Sequence, residues 1–158
     1  MFSEYKNYLY VNILITLIYL TISVVYLFYT YPAEDALILY RYSENLSNFF
    51  QIAFNQNDKP VEGATDFLWM IGLSLFSLFK IKPVFGSIIL NTLSFFIIIN
   101  FISSKLIKYN NLIIHIFFVL VFFNLGTVIG PSIVGFSTIT FFALGTLVYL
   151  YAIEKKLF

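Results

Sequence analysis

Hydrophobic positions in this chain fall into long unbroken blocks, at 8–29, 67–79, 84–102, 112–129 and 139–153, with polar segments between them. The first block has 22 residues and, at about 1.5 Å per residue, reaches roughly 33 Å, the thickness of a bilayer core. It is too long for the apolar region of a cleaved leader, and no small-x-small cleavage site follows. The pattern predicts a retained signal anchor over 8–29, with Tyr26, Tyr29 and Tyr31 as an aromatic belt at its far end.

Pro32 ends that helix and biases Tyr31 to an extended conformation. Glu34 and Asp35 follow where a new helix starts, a place where free backbone N–H groups favour carboxylates. A helix over about 35–50 puts Glu34, Arg41, Asn45 and Asn48 on one stripe and Leu39, Leu46 and Phe50 on another, so its polar stripe faces water or a cleft. The block at 67–79, with 13 residues, is short for a span and predicts a second surface-lying helix at about 65–80.

Positive charge selects the topology. If 67–79 does not cross, Lys105, Lys108, Lys155 and Lys156 join Lys6 on the inner side, as the positive-inside rule requires. The expected fold is an all-α integral membrane protein in a single membrane domain. It has four transmembrane helices (8–29, 84–104, 112–130 and 137–153) and two juxtamembrane helices in a long first outer loop over 30–83. Both termini are expected on the cytoplasmic side of the inner membrane.

Composition agrees with that reading: 60% of residues are hydrophobic and 11% charged, against roughly 25% charged in soluble domains. The net charge of +1, with dispersed Lys and Arg, argues against nucleic acid as a partner. The absence of cysteine removes disulfides and thiolate metal sites, and a single histidine removes a multi-histidine site.

Candidate chemistry gathers in 34–69, which holds six of the eight carboxylates: Glu34, Asp35, Glu44, Asp58, Glu62 and Asp66. Glu34 and Asp35 read either as helix-capping acids or as a base that deprotonates an acceptor hydroxyl, with Arg41 on the same helix to hold a phosphate. Asp66 reads as a solvated cap and Trp69 chiefly as an interfacial anchor, although an aromatic can also stack on a sugar. His115 reads as a neutral imidazole near the inner interface, or as a functional group by virtue of its place inside a span. Asn91, Asn100 and Asn124 read as interhelical hydrogen-bonding residues worth about 1 kcal/mol each. Gly126 and Gly130 have small-xxx-small spacing.

The run EDALILYRYSENL, then AFN, then PVEGATDFLW, resembles the first outer loop of the GT-C membrane glycosyltransferases that use polyprenyl-phosphate sugars. The positions that carry the resemblance are Asp35, Ala36, Arg41, Tyr42, Asn45, Leu46, Phe54, Asn55, Pro60, Val61, Glu62, Gly63, Thr65, Phe67, Leu68 and Trp69, with Glu34 keeping the first acid of the family's pair. The resemblance implies an inverting sugar transfer on the outer face, with Asp35 or Glu34 as catalytic base. It places Arg41, Tyr42, Asn45 and Glu62 at the donor phosphate or substrate, and makes the 67–79 segment a juxtamembrane helix. The implied partners are a lipid-linked sugar donor, membrane lipids and a further membrane subunit; a divalent metal is permitted but not required.

The chain departs from the family at 135–138, where Gly135, Phe136, Ser137 and Thr138 stand and the second acid is absent, and it corresponds to the start of a longer catalytic module. The alternative is a non-catalytic membrane subunit or truncated remnant that binds lipid phosphate or a partner protein through the same loop.

Overall fold

The computed structural model describes residues 2–56, 59, 66–106, 112–123 and 129–155. Seven helices occur among them: α1 (Phe2–Tyr29), α2 (Glu34–Phe49), α3 (Phe67–Leu78), α4 (Pro83–Leu106), α5 (Leu112–Phe123), α6 (Ile129–Ile133) and α7 (Thr138–Lys155). No strand is present among the described residues.

Local chemistry sets the breaks. Pro32 follows α1, and the chain re-enters a helix at Glu34 with two acids in the first turn. That helix stops where Phe50 takes a left-handed conformation (φ 54°); its N–H donates to Leu46 O and the next N–H, of Gln51, to Asn45 O, so carbonyls at the helix end are capped by backbone. Pro83 occupies the first position of α4, where its missing N–H costs nothing.

The helices form two packed bodies with separate cores. In the first, α2 lies on α3, and Ala36, Leu39, Tyr40 and Tyr42 bury against Trp69, Met70 and Leu73. In the second, α4 runs between α1 and α7. Its core joins Tyr19, Phe95, Ile98, Ile99, Val119, Ile129, Ile139 and Ala143, with the rings of Tyr19 and Phe95 stacked 4.7 Å apart.

The long helices turn their polar side chains inward. Along α1 the buried stripe is Tyr8, Asn12, Thr16, Tyr19 and Ser23, whereas Leu14, Leu17, Ile18, Ile22 and Val25 are exposed. Along α4 the buried residues include Ser87, Asn91, Ser94 and Ser103. Asn91 Nδ2 donates to the carbonyls of Ser132 (3.0 Å) and Phe136 (2.9 Å), and its Oδ1 accepts from Thr140 (2.9 Å). The interhelical bonds expected of Asn91 and Asn100 are therefore made, since Asn100 also accepts from Asn12. Asn124 and Gly126 lie outside the described residues.

The two bodies meet along the first half of α4, where Val84 and Leu90 pack on the α2–α3 core, and at the turn after α6. Ala33 N–H donates to Val134 O (3.0 Å), Trp69 Nε1 to Gly135 O (3.3 Å), and Ser137 Oγ to Asp66 Oδ2 (2.5 Å). Gly135 has φ +107°, and a Cβ there would collide with the Tyr40 hydroxyl and lie 3.0 Å from Ala36 Cβ.

The expected four-span topology is corrected by these helices. Among the described residues two are long and apolar enough to cross a membrane, Asn7–Tyr29 (23 residues) and Pro83–Ser104 (22 residues). Of the expected third span, 112–123 form α5 and 129–130 begin the five-residue α6, while 124–128 lie outside the described residues. The described part of α5 reaches about 18 Å against a core of roughly 30 Å. The apolar part of α7, Thr138–Ala152, is also too short. Among the described residues an all-α bundle of seven helices, with hydrogen-bonded polar contacts between them, replaces the four-span integral membrane fold. The multi-pass inner-membrane location, with both termini cytoplasmic and the first loop outside, is withdrawn with it.

Candidate functional site

A cleft of about 300 Å³ lies between the end of α1, the outer face of α2 and the start of α4. Leu27, Pro32, Leu37, Pro83 and Val84 form apolar walls, and Tyr40, Arg41, Glu44 and Lys82 supply its polar groups. Beside it α2 is tied to α4 by a buried bond, Tyr40 Oη to Ser87 Oγ at 2.8 Å. The Ser87 hydroxyl gives its proton to Val84 O (2.8 Å), so the tyrosine is the donor in that bond. Burial pushes the Tyr40 phenol up to about 12, against a smaller opposing effect of the Ser87 bond.

Arg41 is fixed at the cleft from below. Its Nε donates to Phe54 O (3.2 Å), and Nη1 lies 3.9 Å from Glu44, one turn along the helix. Both side chains of that pair are nearly half exposed, so the pairing is weak and easily exchanged for another anion. Lys82 is exposed. It immediately precedes α4, and its carbonyl accepts the N–H groups of Phe85 and Gly86, so the positive end of the α4 dipole opens beside it.

The residues expected to act together lie in different surroundings. Glu34 and Asp35 are exposed in the first turn of α2. Tyr42 is buried in the α2–α3 core, edge-on to Phe54. Asn45, expected on a water-facing stripe with Glu34, Arg41 and Asn48, is buried, and its Nδ2 donates to Ala53 O (2.7 Å) and Phe54 O (2.8 Å). Arg41 and Asn45 thus both grip the segment that follows α2. Glu62 and Asp58 lie outside the described residues. Among the described residues no group of three His, Asp or Glu could hold a metal ion.

Two other side chains differ from expectation. Asp66 precedes α3 without a side-chain cap bond and instead accepts from Ser137, in the very loop that lacks an acid of its own. Trp69 points inward, 3% exposed, rather than outward as an anchor. Lys82, Tyr40 and Ser87 carry the cleft without any sequence motif to mark them. Their signal was confined to a Pro preceded by a Lys and a polar pair separated by 47 residues.

The chain matches no family model, no curated protein and no solved structure. The polyprenyl-phosphate glycosyltransferase function is corrected along with its scaffold. As expected from sequence, the transfer needed a multi-pass body to present a lipid-linked donor to an outer-face loop, and among the described residues two span-competent helices stand in place of four. The non-catalytic membrane-subunit version assumed the same body and is withdrawn for the same reason, as is the GT-C description.

Proposed function

We propose that this chain binds an amphipathic anion, an apolar tail bearing a carboxylate-type head, in the cleft between α2 and the start of α4. One observation carries this reading: Arg41 and Lys82, from two different elements, stand over walls made of Leu27, Leu37, Pro83 and Val84. Clefts of roughly 300–1,000 Å³ with apolar walls and few charges are the usual form of small-ligand sites. A carboxylate can accept two parallel N–H bonds from a guanidinium, whereas a lysine adds a point charge. Glu44 competes for Arg41 and thereby disfavours weakly charged or neutral ligands.

Calorimetric titration with dodecanoate, below its micelle concentration, tests the proposal against neutral dodecyl maltoside. Dodecanoate is expected to bind, and the R41Q/K82Q double variant to weaken it by at least about tenfold, the loss of roughly 1.4 kcal/mol. Equal binding of the neutral amphiphile, or an affinity unchanged in the double variant, would overturn it.

A further inference from the structure

The protein's single histidine sits at the end of a chain of hydrogen bonds whose direction is fixed by two backbone carbonyls. Asn100 Nδ2 donates to Phe96 O (2.7 Å), which leaves Asn100 Oδ1 as the atom facing Asn12. Asn12 must therefore present Nδ2, which donates to Asn100 Oδ1 (3.1 Å) and to Ser103 Oγ (2.6 Å). Ser103 can accept that bond because its own proton goes to Ile99 O (2.7 Å). Asn12 Oδ1 is then the atom facing His115 Nε2 at 2.9 Å, and an amide oxygen only accepts, so Nε2 carries the proton.

Neutral His115 has one N–H, and this assignment spends it on Asn12. The other ring nitrogen, Nδ1, is an unprotonated acceptor, fully buried and without a hydrogen-bond partner among the described residues. Tyr8 packs edge-on against the ring with centroids 5.1 Å apart, and it is the titratable group that faces His115 from α1. From α4 the facing groups are Ser103 and, through Asn12, Asn100, neither of which titrates or bears charge. The side chains of Lys105 and of 107–111 lie outside the described residues.

We propose that His115 is a proton-sensitive latch: proton uptake at Nδ1 releases α5 and the first half of α1 from α4. A proton there creates a buried cation and a new donor at once. Asn12 Oδ1 and Ser103 Oγ are already engaged, and no carboxylate is among the described groups of the cluster, so the charge has no counter-ion there. The same triad ties α1, α4 and α5 together across sequence separations of 12 to 103 residues, which is why one protonation acts on three helices.

The direction of the pH effect follows from burial, which lowers the His115 pKa from the ordinary 6.5. A group whose pKa is lower in the folded state contributes stability that is complete above 6.5 and is lost as pH falls from 6.5 through the folded value. Over that window the unfolding equilibrium constant rises toward tenfold per pH unit, the limit for one proton.

The test compares wild type with H115Q, whose amide keeps a donor near the Nε2 position and does not titrate in this range. Unfolding measured from pH 7.5 to 5 is expected to be steeper in the wild type by up to about tenfold per unit. Amide exchange at pH 5 is expected to show α5 and the first half of α1 opening while α2 and α3 stay protected. Should H115Q fail to fold, titration of the single imidazole resonance in the wild type decides, with a midpoint below 6.5 supporting the latch. Equal pH slopes in the two proteins, a midpoint at or above 6.5, or uniform exchange across all helices would overturn it.

Discussion

The α2–α3 body and the α1–α4–α7 body bury different mixtures of side chains. In the first, apolar side chains such as Leu39, Met70 and Leu73 go inside, and Glu34, Asp35 and Arg41 face out. In the second, Asn12, Thr16, Ser23, Asn91 and Ser94 go inside alongside Tyr19 and Phe95, while leucines and isoleucines of α1 face out. The first body, whose buried polar side chains Ser43, Asn45, Ser47 and Ser74 bond backbone carbonyls, takes most of its cohesion from area removed from water, which tolerates changes of shape. The second takes its specificity from directed hydrogen bonds, each of which exacts a penalty when one partner is removed. Identical truncations should accordingly cost more in the second body than in the first.

The sharpest way to break this division is at the joint between the two bodies. Gly135→Ala demands a side chain at φ +107° and drives its Cβ into the Tyr40 hydroxyl. Left-handed strain and overpacking together should cost about 4 kcal/mol, read as a fall in the urea midpoint. A variant as stable as wild type would mean that the two bodies do not meet through this turn.

Within the polar body, Asn12→Ala removes the hub that serves Asn100, Ser103 and His115 and leaves a buried imidazole N–H unmet. A loss of about 3 kcal/mol is expected by the same measurement. A loss below about 1 kcal/mol would show that the network adds little and that the contrast is one of composition alone.

In the α2–α3 body, Tyr40→Phe deletes only the bond to Ser87, whose own proton still reaches Val84, so about 1 kcal/mol is expected at neutral pH. The alkaline behaviour is more telling. Tyr40 ionises at about 12 when folded and near 10 when unfolded, so its contribution is complete below about 10 and is lost as pH rises to about 12. Stability measured across that range should fall more steeply in wild type than in Y40F, and parallel curves would contradict a buried phenol.

Much of the local structure was legible before the fold was known. Pro32 followed by Glu34 and Asp35 announced the start of α2, and the polar stretch ending in Pro83 announced the break before α4. The orientation of the long helices was not read, because the unbroken apolar block at 8–29 drew attention to its length. The three-to-four-residue spacing of Tyr8, Asn12, Thr16, Tyr19 and Ser23, which marks the inward face, was present all along. Asn45 was placed on the water-facing stripe by helical spacing alone, and only the path of the chain at 53–54 reveals why its amide is buried. The cleft was legible in half: Arg41 stood out on α2, whereas Lys82 reaches it through a contact between helices that no local pattern encodes. The pairing of Asp66 with Ser137 spans 71 residues and was equally hidden.

Trp69 is the chain's single tryptophan, and its indole N–H is bonded to Gly135 at the seam between the two bodies. Its ring is therefore a native optical probe of that seam. Emission from a dry, hydrogen-bonded indole shifts to longer wavelength once water reaches it, so a spectrum of the unlabelled protein reports whether the two bodies are docked. It can do so while each body keeps its helices, separating undocking from melting in a single cuvette.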